Sequence, residues 1–329
     1  MLEHGGRLLA AAARWGIPVS DWIDLSTGIA PWSYPISIEA EAWRRLPEDE
    51  DGLEAVAATY YGHPAPLAVP GSQAAIQLLP RLLSPGRTVL AAPSYAEYAP
   101  AWRAAGHRLA ELPYAAVACG AAEADVLMLA SPNNPSGERL DDDVLVALAA
   151  AQERRGGWLV VDAAFGDHAP ATSLDAHAGG SLPRLVVLHS LGKFFGLAGA
   201  RVGFCCAAPE LRRSLAQAIG PWAVANPSRR AAAQALADGD WQAAQRQRLV
   251  QACARLGRLL QDMGLPSVGG GDLFRYAPSS RAEELHDFLA RRGVLVRLFR
   301  DPPALRFGLP GVASDWQRLT LALSEWRSS

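Results

Sequence analysis

The chain has 329 residues, of which 50% are hydrophobic and 19% are charged, and its formal net charge at pH 7 is −2. A chain of this length and composition can bury a large core, which predicts two domains or one domain with a smaller lobe. Its basic residues are dispersed, which argues against a nucleic-acid-binding surface with lysines and arginines concentrated on one face or tail. Small ligands are therefore the expected partners.

The cysteines, histidines and apolar runs predict a cytoplasmic protein with no metal and no membrane contact. The four cysteines form no C-x-x-C pair and are too few for a disulfide scaffold, so reduced thiols are expected. No H-E-x-x-H motif or clustered His/Cys spacing occurs, and His189 and His286 are interpreted as strand-end or surface residues. No uninterrupted apolar run approaches the ~20 residues needed to cross a bilayer, and the N-terminus lacks a secretory pattern.

Short apolar runs rich in valine and leucine recur between helical stretches and predict strands. They cover residues 88–92, 125–130, 158–162, 185–189 and 202–207. Strands that alternate with helices form a parallel sheet, and runs with little polar alternation indicate a sheet covered on both faces. We therefore predict an N-terminal arm over residues 1–34 and a large α/β domain over residues 35–215.

The pattern changes after Pro221 to helices and then to mixed α+β elements. Apolar residues recur at helical spacing from Leu249 to Met263, and Gly264 is positioned as a stop signal. Strands near 273–276 and 294–297, a helix around 282–292 and a last helix carrying Trp316 and Trp326 follow. These elements predict a smaller α+β C-terminal domain over residues 216–329.

Lys193 lies in the string Ser-Leu-Gly-Lys-Phe-Phe-Gly-Leu-Ala-Gly-Ala-Arg of residues 190–201. An amine among small residues, eight positions before Arg201, suits a phosphorylated aldehyde, since the amine can form a Schiff base while the arginine binds phosphate. Asp162 ends a predicted strand, where ligands bind in such sheets, and its carboxylate can keep a pyridine nitrogen protonated. These residues predict a site for pyridoxal 5'-phosphate.

Further candidates for this cofactor lie elsewhere in the predicted α/β domain. Asn134, within the turn formers of residues 131–137, can donate its amide to a ring oxygen. Ser72 and Gln73 precede a helix-like stretch and offer a phosphate free N–H groups and a hydroxyl, and Tyr95 can stack on a flat ring. Each residue alone also has a structural interpretation, as a helix cap, a turn residue or a core aromatic.

Taken in order, these pieces resemble the aminotransferase-like superfamily of pyridoxal-phosphate enzymes (class I/II, fold type I), over nearly the whole chain. The resemblance implies a large domain with a mainly parallel seven-stranded sheet, a homodimer and a cis peptide bond before Pro135. It implies that Lys193 and Asp162 are catalytic. It assigns cofactor binding to Ser72, Gln73, Tyr95, Asn134, Asp162, Ser190, Lys193 and Arg201.

Several local strings are similar to one branch of this superfamily, the threonine-phosphate decarboxylases of cobalamin biosynthesis. The strings are residues 4–6, 24–31 and 220–224, and the pair Arg297 and Arg306 accompanies them. The likeness implies decarboxylation of L-threonine O-3-phosphate to (R)-1-amino-2-propanol O-2-phosphate. It assigns this small phosphorylated amino-acid substrate to His4, Gly5, Gly28, Asn134, Arg297 and Arg306. An exposed terminal histidine and surface arginines are the structural alternatives.

Some positions depart from the superfamily's pattern. Phe165 stands where many members have tyrosine, Gly192 where serine or threonine is common, and Leu46 where a tyrosine reaches a neighbouring subunit's phosphate. Two other functions stay open. One is a histidinol-phosphate-type aminotransferase, which would share every cofactor residue, and the other is a non-catalytic cofactor-binding subunit of a cobalamin-pathway complex.

Overall fold

The structure is a computed structural model that describes residues 4–168, 173–269 and 272–328. Its helices are α1 (Leu8–Trp15), α2 (Leu53–Tyr61), α3 (Ser72–Leu82), α4 (Tyr98–Ala104), α5 (Val117–Gly120), α6 (Asp142–Arg155), α7 (Ser173–His177), α8 (Pro209–Ile219), α9 (Asn226–Ala237), α10 (Gly239–Asp262), α11 (Ala282–Ala290) and α12 (Ala313–Arg327). Within these ranges, no helix has both the length and the apolar character that a membrane span requires.

The strands form two sheets, of seven and four strands. They are β1 (Ile23–Leu25), β2 (Leu67–Val69), β3 (Arg87–Ala92), β4 (Arg108–Pro113), β5 (Val126–Ala130), β6 (Trp158–Asp162), β7 (Leu185–Ser190), β8 (Gly203–Cys206), β9 (Phe274–Pro278), β10 (Val294–Arg300) and β11 (Pro303–Gly308). The larger sheet has the order β2-β8-β7-β6-β5-β3-β4, in which β8 alone runs antiparallel to its neighbours β7 and β2. The predicted mainly parallel seven-stranded sheet is confirmed.

Alternate residues of the central strands enter cores on opposite faces of the larger sheet. Val161 of β6, Val187 of β7 and Cys206 of β8 belong to one core. Val160 and Cys205, each one residue earlier in its strand, belong to the other. Both faces of these strands are therefore covered, which explains why their sequences lack polar alternation. It also places Cys205 and Cys206 as buried free thiols.

The smaller sheet has the order β1-β10-β11-β9 and includes a strand from the N-terminal segment. β1 runs parallel to β10, and β10, β11 and β9 follow one another antiparallel. The register of β10 and β11 sets Arg297 directly opposite Arg306. Directly opposed residues point to the same face of a sheet, so the two predicted substrate arginines share one face.

The chain divides into two compact units. The larger contains Tyr34–Asn134 and Glu138–Ala243, and the smaller contains Met1–Ser33, Pro135–Gly137 and Ala244–Ser329. The domain boundary that we expect after residue 215 differs from this division, because residues 216–243 belong to the larger unit. The first three residues of the predicted N-terminal arm lie outside the described residues.

A buried ion-pair network explains why α9 belongs to the larger unit. The Arg229 side chain on α9 is 3% exposed, and its Nε and Nη2 donate to the two carboxylate oxygens of Asp51 at 2.7 Å each. Its Nη1 and Nη2 donate to Glu54 of α2 at 3.0 and 2.7 Å. Breaking a buried pair is costly because a desolvated charge loses its partners.

We expect Arg229→Ala to lower the free energy of unfolding by about 3 kcal/mol, measured by denaturant unfolding. Arg230→Ala is the matched control, since Arg230 makes an exposed pair with Glu39 at 3.3 Å. That control should cost less than about 1 kcal/mol. Equal effects of the two substitutions would contradict the role given to the buried network.

Candidate active site

A cavity of about 130 Å³ in the larger unit collects every cofactor-binding residue named from the sequence. Its lining includes Ser72, Gln73, Tyr95, Asn134, Asp162, Ser190, Lys193 and Arg201. Ala130, Asp162 and Ser190 end β5, β6 and β7, so the cavity lies at the carboxyl ends of parallel strands. Ligands of open α/β sheets bind at this edge.

Asp162 presents a buried carboxylate to this cavity. The residue is 5% exposed, and its Oδ2 accepts a hydrogen bond from the Tyr98 hydroxyl at 2.6 Å while its Oδ1 accepts one from the Ala164 N–H at 2.9 Å. Burial raises the pKa of Asp162, and the two hydrogen bonds and the charge of Lys193 oppose that rise. A cationic N–H bound in the cavity would favour the ionised carboxylate in the same way.

The start of α3 forms a cradle beside Arg201. A Cβ added to Gly71, which has φ of +75°, would lie 2.6 Å from Arg201 Nη2. A Cβ added to Gly203 of β8 would lie 2.5 Å from the backbone nitrogen of Ser72. Glycine at both positions thus allows the guanidinium and β8 to approach the free N–H groups of the helix, an arrangement that binds anions.

We expect Gly203→Ala to weaken binding of pyridoxal 5'-phosphate by about 10²-fold, because the start of α3 must move to make room for the methyl group. Gly199→Ala is the matched control, since a Cβ there would meet nothing within 4 Å. The dissociation constant of each variant can be read from cofactor absorbance. Unchanged affinity in Gly203→Ala would contradict the assignment of the cradle.

Tyr95 and Gln73 are fixed against each other in the cavity. The Tyr95 hydroxyl donates to Gln73 Oε1 at 3.0 Å, and Gln73 Nε2 donates to Glu97 at 3.3 Å. Burial, with the nearby carboxylates of Glu97 and Asp162, raises the pKa of Tyr95 to about 12, so its hydroxyl remains a donor. The Tyr98 ring meets Tyr95 edge-on with centroids 5.5 Å apart. Sequence reasoning missed Tyr98, although its spacing of three residues from Tyr95 was a usable signal.

Lys193 follows β7 and is half-buried in the cavity wall, with its Nζ 5.2 Å from the centroid of the Phe165 ring. It is the only lysine in the 329 residues. A Cβ on Gly192 would lie 3.1 Å from the Ala198 Cα, so a side chain there would require the neighbouring backbone to shift by a few tenths of an ångström. Close packing beside the lysine therefore favours glycine at position 192.

The adjacent asparagines have different surroundings. Asn133 is fully buried and its Nδ2 donates to the Pro93 carbonyl at 2.9 Å, whereas Asn134 lines the cavity. The cis peptide bond of this segment precedes Pro132. The expectation of a cis bond before Pro135 is therefore wrong, although the segment still presents Asn134 to the cavity.

The donor set of the cavity fits pyridoxal 5'-phosphate. Lys193 offers an amine to the aldehyde, Arg201 and the start of α3 offer positive charge and N–H donors to the phosphate, and Asp162 offers a carboxylate to the ring nitrogen. The glycines at positions 71 and 203 keep the phosphate cradle clear of side chains. Tyr95 supplies an aromatic wall for a flat ring.

The smaller unit contains a separate cationic cavity of about 270 Å³. Its lining includes His4, Gly5, Ser26 and Arg297. A Cβ on Gly5 would lie 2.3 Å from the Ser26 carbonyl oxygen, and the Gly6 N–H donates to Ser26 Oγ at 2.8 Å. The strings at 4–6 and 24–31, far apart in sequence, are thus in direct contact.

Arg306 is a buried cation, 4% exposed, in the smaller unit. Its Nη2 donates to the Ser26 carbonyl at 2.8 Å. Burial and the charge of Arg297 lower the pKa of Arg306 to about 9, and Asp24 opposes that shift. An anion bound to this pair of arginines would relieve their repulsion. Arg306 does not line the cavity that contains His4, and neither does Gly28, which is buried with φ of +62°.

Comparison with known proteins identifies relatives that span nearly the whole chain. The family model of aminotransferase class I and II matches residues 49–325. A threonine-phosphate decarboxylase of Pseudomonas aeruginosa is 50% identical, over 98% of this chain and 97% of the relative. A threonine-phosphate decarboxylase of a Sinorhizobium species is 41% identical, over 98% of each chain.

A solved structure shows the same fold. The histidinol-phosphate aminotransferase of Sinorhizobium meliloti, crystallised in complex with pyridoxal-5'-phosphate, superposes with a TM-score of 0.87 and 21% identity, over 99% of this chain and 95% of that one. The seven-stranded sheet is accordingly that of fold type I pyridoxal-phosphate-dependent transferases. With a family model spanning most of its length and relatives of up to 50% identity, the chain belongs to the aminotransferase class I and II family.

Proposed function

We propose that this protein is a pyridoxal-phosphate-dependent lyase that decarboxylates L-threonine O-3-phosphate to (R)-1-amino-2-propanol O-2-phosphate, a step of cobalamin biosynthesis. The observation that carries the proposal is the near-full-length identity to two threonine-phosphate decarboxylases. The likeness to a histidinol-phosphate aminotransferase at 21% identity supports the fold and does not select the reaction. The facing cations Arg297 and Arg306 support a phosphorylated substrate.

The larger unit holds the cofactor in this proposal. Pyridoxal 5'-phosphate, when bound, accepts the electron pair that a bond broken at the substrate Cα leaves behind. Lys193 Nζ would hold it covalently through the aldehyde carbon, and Arg201, Ser72 and Gln73 would bind its phosphate. The Asp162 carboxylate keeps a proton on the ring nitrogen, and the Asn134 amide donates to the ring oxygen.

The smaller unit supplies the substrate's phosphate ligands. We propose that Arg297, Arg306 and His4 bind the phosphate, with Gly5, Gly28 and Asn134 as further substrate contacts. Cations engaged with the phosphate would leave the substrate carboxylate free to turn to the orientation in which the Cα–carboxylate bond breaks most readily. Cleavage of that bond would release CO2, and either water or Lys193 Nζ, freed once the substrate amine has taken its place, would deliver a proton to Cα.

The family resemblance also supports a homodimer, and we propose that the protein acts as one in the cytoplasm. Sedimentation of the purified protein at increasing concentration measures the mass of the assembly. A monomer at every concentration would contradict the homodimer.

Incubation of the purified, cofactor-saturated protein with O-phosphothreonine tests the reaction. We expect CO2 release without any added 2-oxo acid, together with a phosphorylated amino alcohol detected by mass spectrometry. The matched assay supplies histidinol phosphate and 2-oxoglutarate and measures glutamate. Amino transfer that requires the acceptor, with no CO2 from O-phosphothreonine, would refute decarboxylation. Weak CO2 release that a cobalamin-pathway partner strongly stimulates would favour the role of a subunit in a complex.

A further inference from the structure

A buried ion pair lies on the face of the larger sheet opposite the cofactor cavity. Successive residues of a strand point to opposite faces, so Ser190 lines the cavity while His189 points into the reverse side with Val187 and Val161. There, His189 Nε2 lies 2.7 Å from Asp175 Oδ1, and the two residues are 5% and 2% exposed. His189 is the strand-end residue that the sequence predicts, one position before the end of β7, and it is buried.

The groups around His189 favour its cationic form. Burial disfavours a charged imidazole, but the carboxylates of Asp175, Asp167 and Asp162 outweigh it and raise the pKa of His189. Burial raises the pKa values of Tyr61 and Cys206 well above their ordinary range, so both are neutral. The Tyr61 ring stacks on the imidazole with centroids 4.0 Å apart.

His63 is a second histidine of this region, and burial lowers its pKa, which favours the uncharged imidazole. Its Nε2 lies 3.0 Å from the Ala178 carbonyl oxygen. It is buried like His189, but its second ring nitrogen also has a hydrogen-bond contact, with the Ala65 N–H at 3.1 Å, whereas His189 Nδ1 is buried without a partner among the described residues. The two histidines therefore offer a comparison between a charged and an uncharged buried imidazole.

A metal ion is the alternative occupant, since ligand atoms of Asp175, His189 and Cys206 all lie within 4.8 Å of one another. The geometry disfavours it. Two ligands on one tetrahedral zinc ion are about 3.3 Å apart, whereas the 2.7 Å between Nε2 and Oδ1 is the length of a hydrogen bond.

We propose that His189, held as a cation by Asp175, is a positioning residue for the cofactor site whose charge keeps the carboxylate of Asp162 ionised. Asp162 ends β6, and β7, which pairs with it in parallel register, carries His189 immediately after the partner of Asp162, Leu188. Burial of Asp162 raises its pKa; the hydrogen bonds from Tyr98 and Ala164, the charge of Lys193 and, after these, the charge of His189 behind the sheet oppose that rise. The inference rests on the proposed function, because it requires pyridoxal phosphate above Asp162.

The test measures the dissociation constant of pyridoxal 5'-phosphate from absorbance, between about pH 5 and pH 8. The variants are His189→Gln, which removes the charge but can donate to Asp175, and Asp175→Asn, which leaves His189 without its counter-ion. Both should bind the cofactor at least about tenfold more weakly than wild type at about pH 6 and within about threefold of it at about pH 8. Binding weakens at low pH because protonation of Asp162 removes the partner of the ring nitrogen. Without the charge of His189, Asp162 becomes protonated at a higher pH than in the wild-type protein.

His63→Gln is the matched control and should follow the wild-type curve at every pH. Weakening of the same size at both ends of the pH range would show a structural role and overturn the proposal. Variants that behave like the control, or apo variants that circular dichroism shows to be unfolded, would overturn it too. If the wild-type protein itself binds no pyridoxal phosphate, the proposed function fails instead, so the two failures are distinguishable.

Discussion

Lys193→Ala should lower the rate of CO2 release from O-phosphothreonine by about 10⁴-fold or more. The substitution removes both the amine that holds the cofactor and the group proposed to return a proton to Cα. Because the chain has no other lysine, no neighbouring ε-amine can replace it. The rate is measured as CO2 production by the cofactor-saturated protein.

Lys193→Arg is the control for charge. It keeps a cation close to the Phe165 ring, whose centroid lies 5.2 Å from Lys193 Nζ. A guanidinium stays charged and does not form a Schiff base with the aldehyde. We expect it to be as inactive as the alanine variant while remaining folded. If either variant retained a rate within tenfold of wild type, Lys193 would not have the role we propose.

Asp162→Asn should lower the rate by about 10²- to 10³-fold, because a neutral amide cannot stabilise a protonated ring nitrogen in a buried site. The substitution keeps the shape of the side chain, so the cavity should keep its form. Steady-state kinetics with O-phosphothreonine provide the test. A fall in kcat with little change in KM is expected, since Asp162 lies in the cofactor cavity of the larger unit.

Tyr98→Phe separates the charge of Asp162 from its hydrogen bonding. It removes the hydroxyl that donates to Asp162 Oδ2 at 2.6 Å but leaves the carboxylate in place. A single lost hydrogen bond to a charged group costs about 1.5–3 kcal/mol, so the rate should fall by less than in Asp162→Asn. A larger loss in Tyr98→Phe would mean that the tyrosine, and not the carboxylate, dominates this end of the site.

The central strands of the larger sheet could be predicted from sequence because burial on both faces leaves a continuous apolar run. β2 and β4 could not, for a physical reason. They are the two edges of the sheet, β2 has three residues, and β4 contains only exposed and half-buried positions from Arg108 to Pro113. Edge strands are shaped by water on one side, so their sequences carry little of the apolar signal.

The candidate site also contains residues that could be predicted from sequence and contacts that could not. Lys193, Asp162 and Ser72 could be placed because each stands at the end of a strand or the start of a helix with a local signature. Ser26 contacts Gly6, which is 20 residues away in sequence, and Arg306, which is 280 residues away. No local periodicity predicts either contact. His189 shows the same limit, because its burial depends on Asp175 and Tyr61 from other elements.

The most direct test of the account is the chemical state of Lys193 in freshly isolated, cofactor-saturated protein. Borohydride reduction followed by peptide mass spectrometry should find one pyridoxyl group, on the peptide that contains Lys193, with loss of the visible absorbance band. No other lysine can compete for the label. An unmodified Lys193 peptide, or a reducible visible band that persists in Lys193→Ala, would contradict the account.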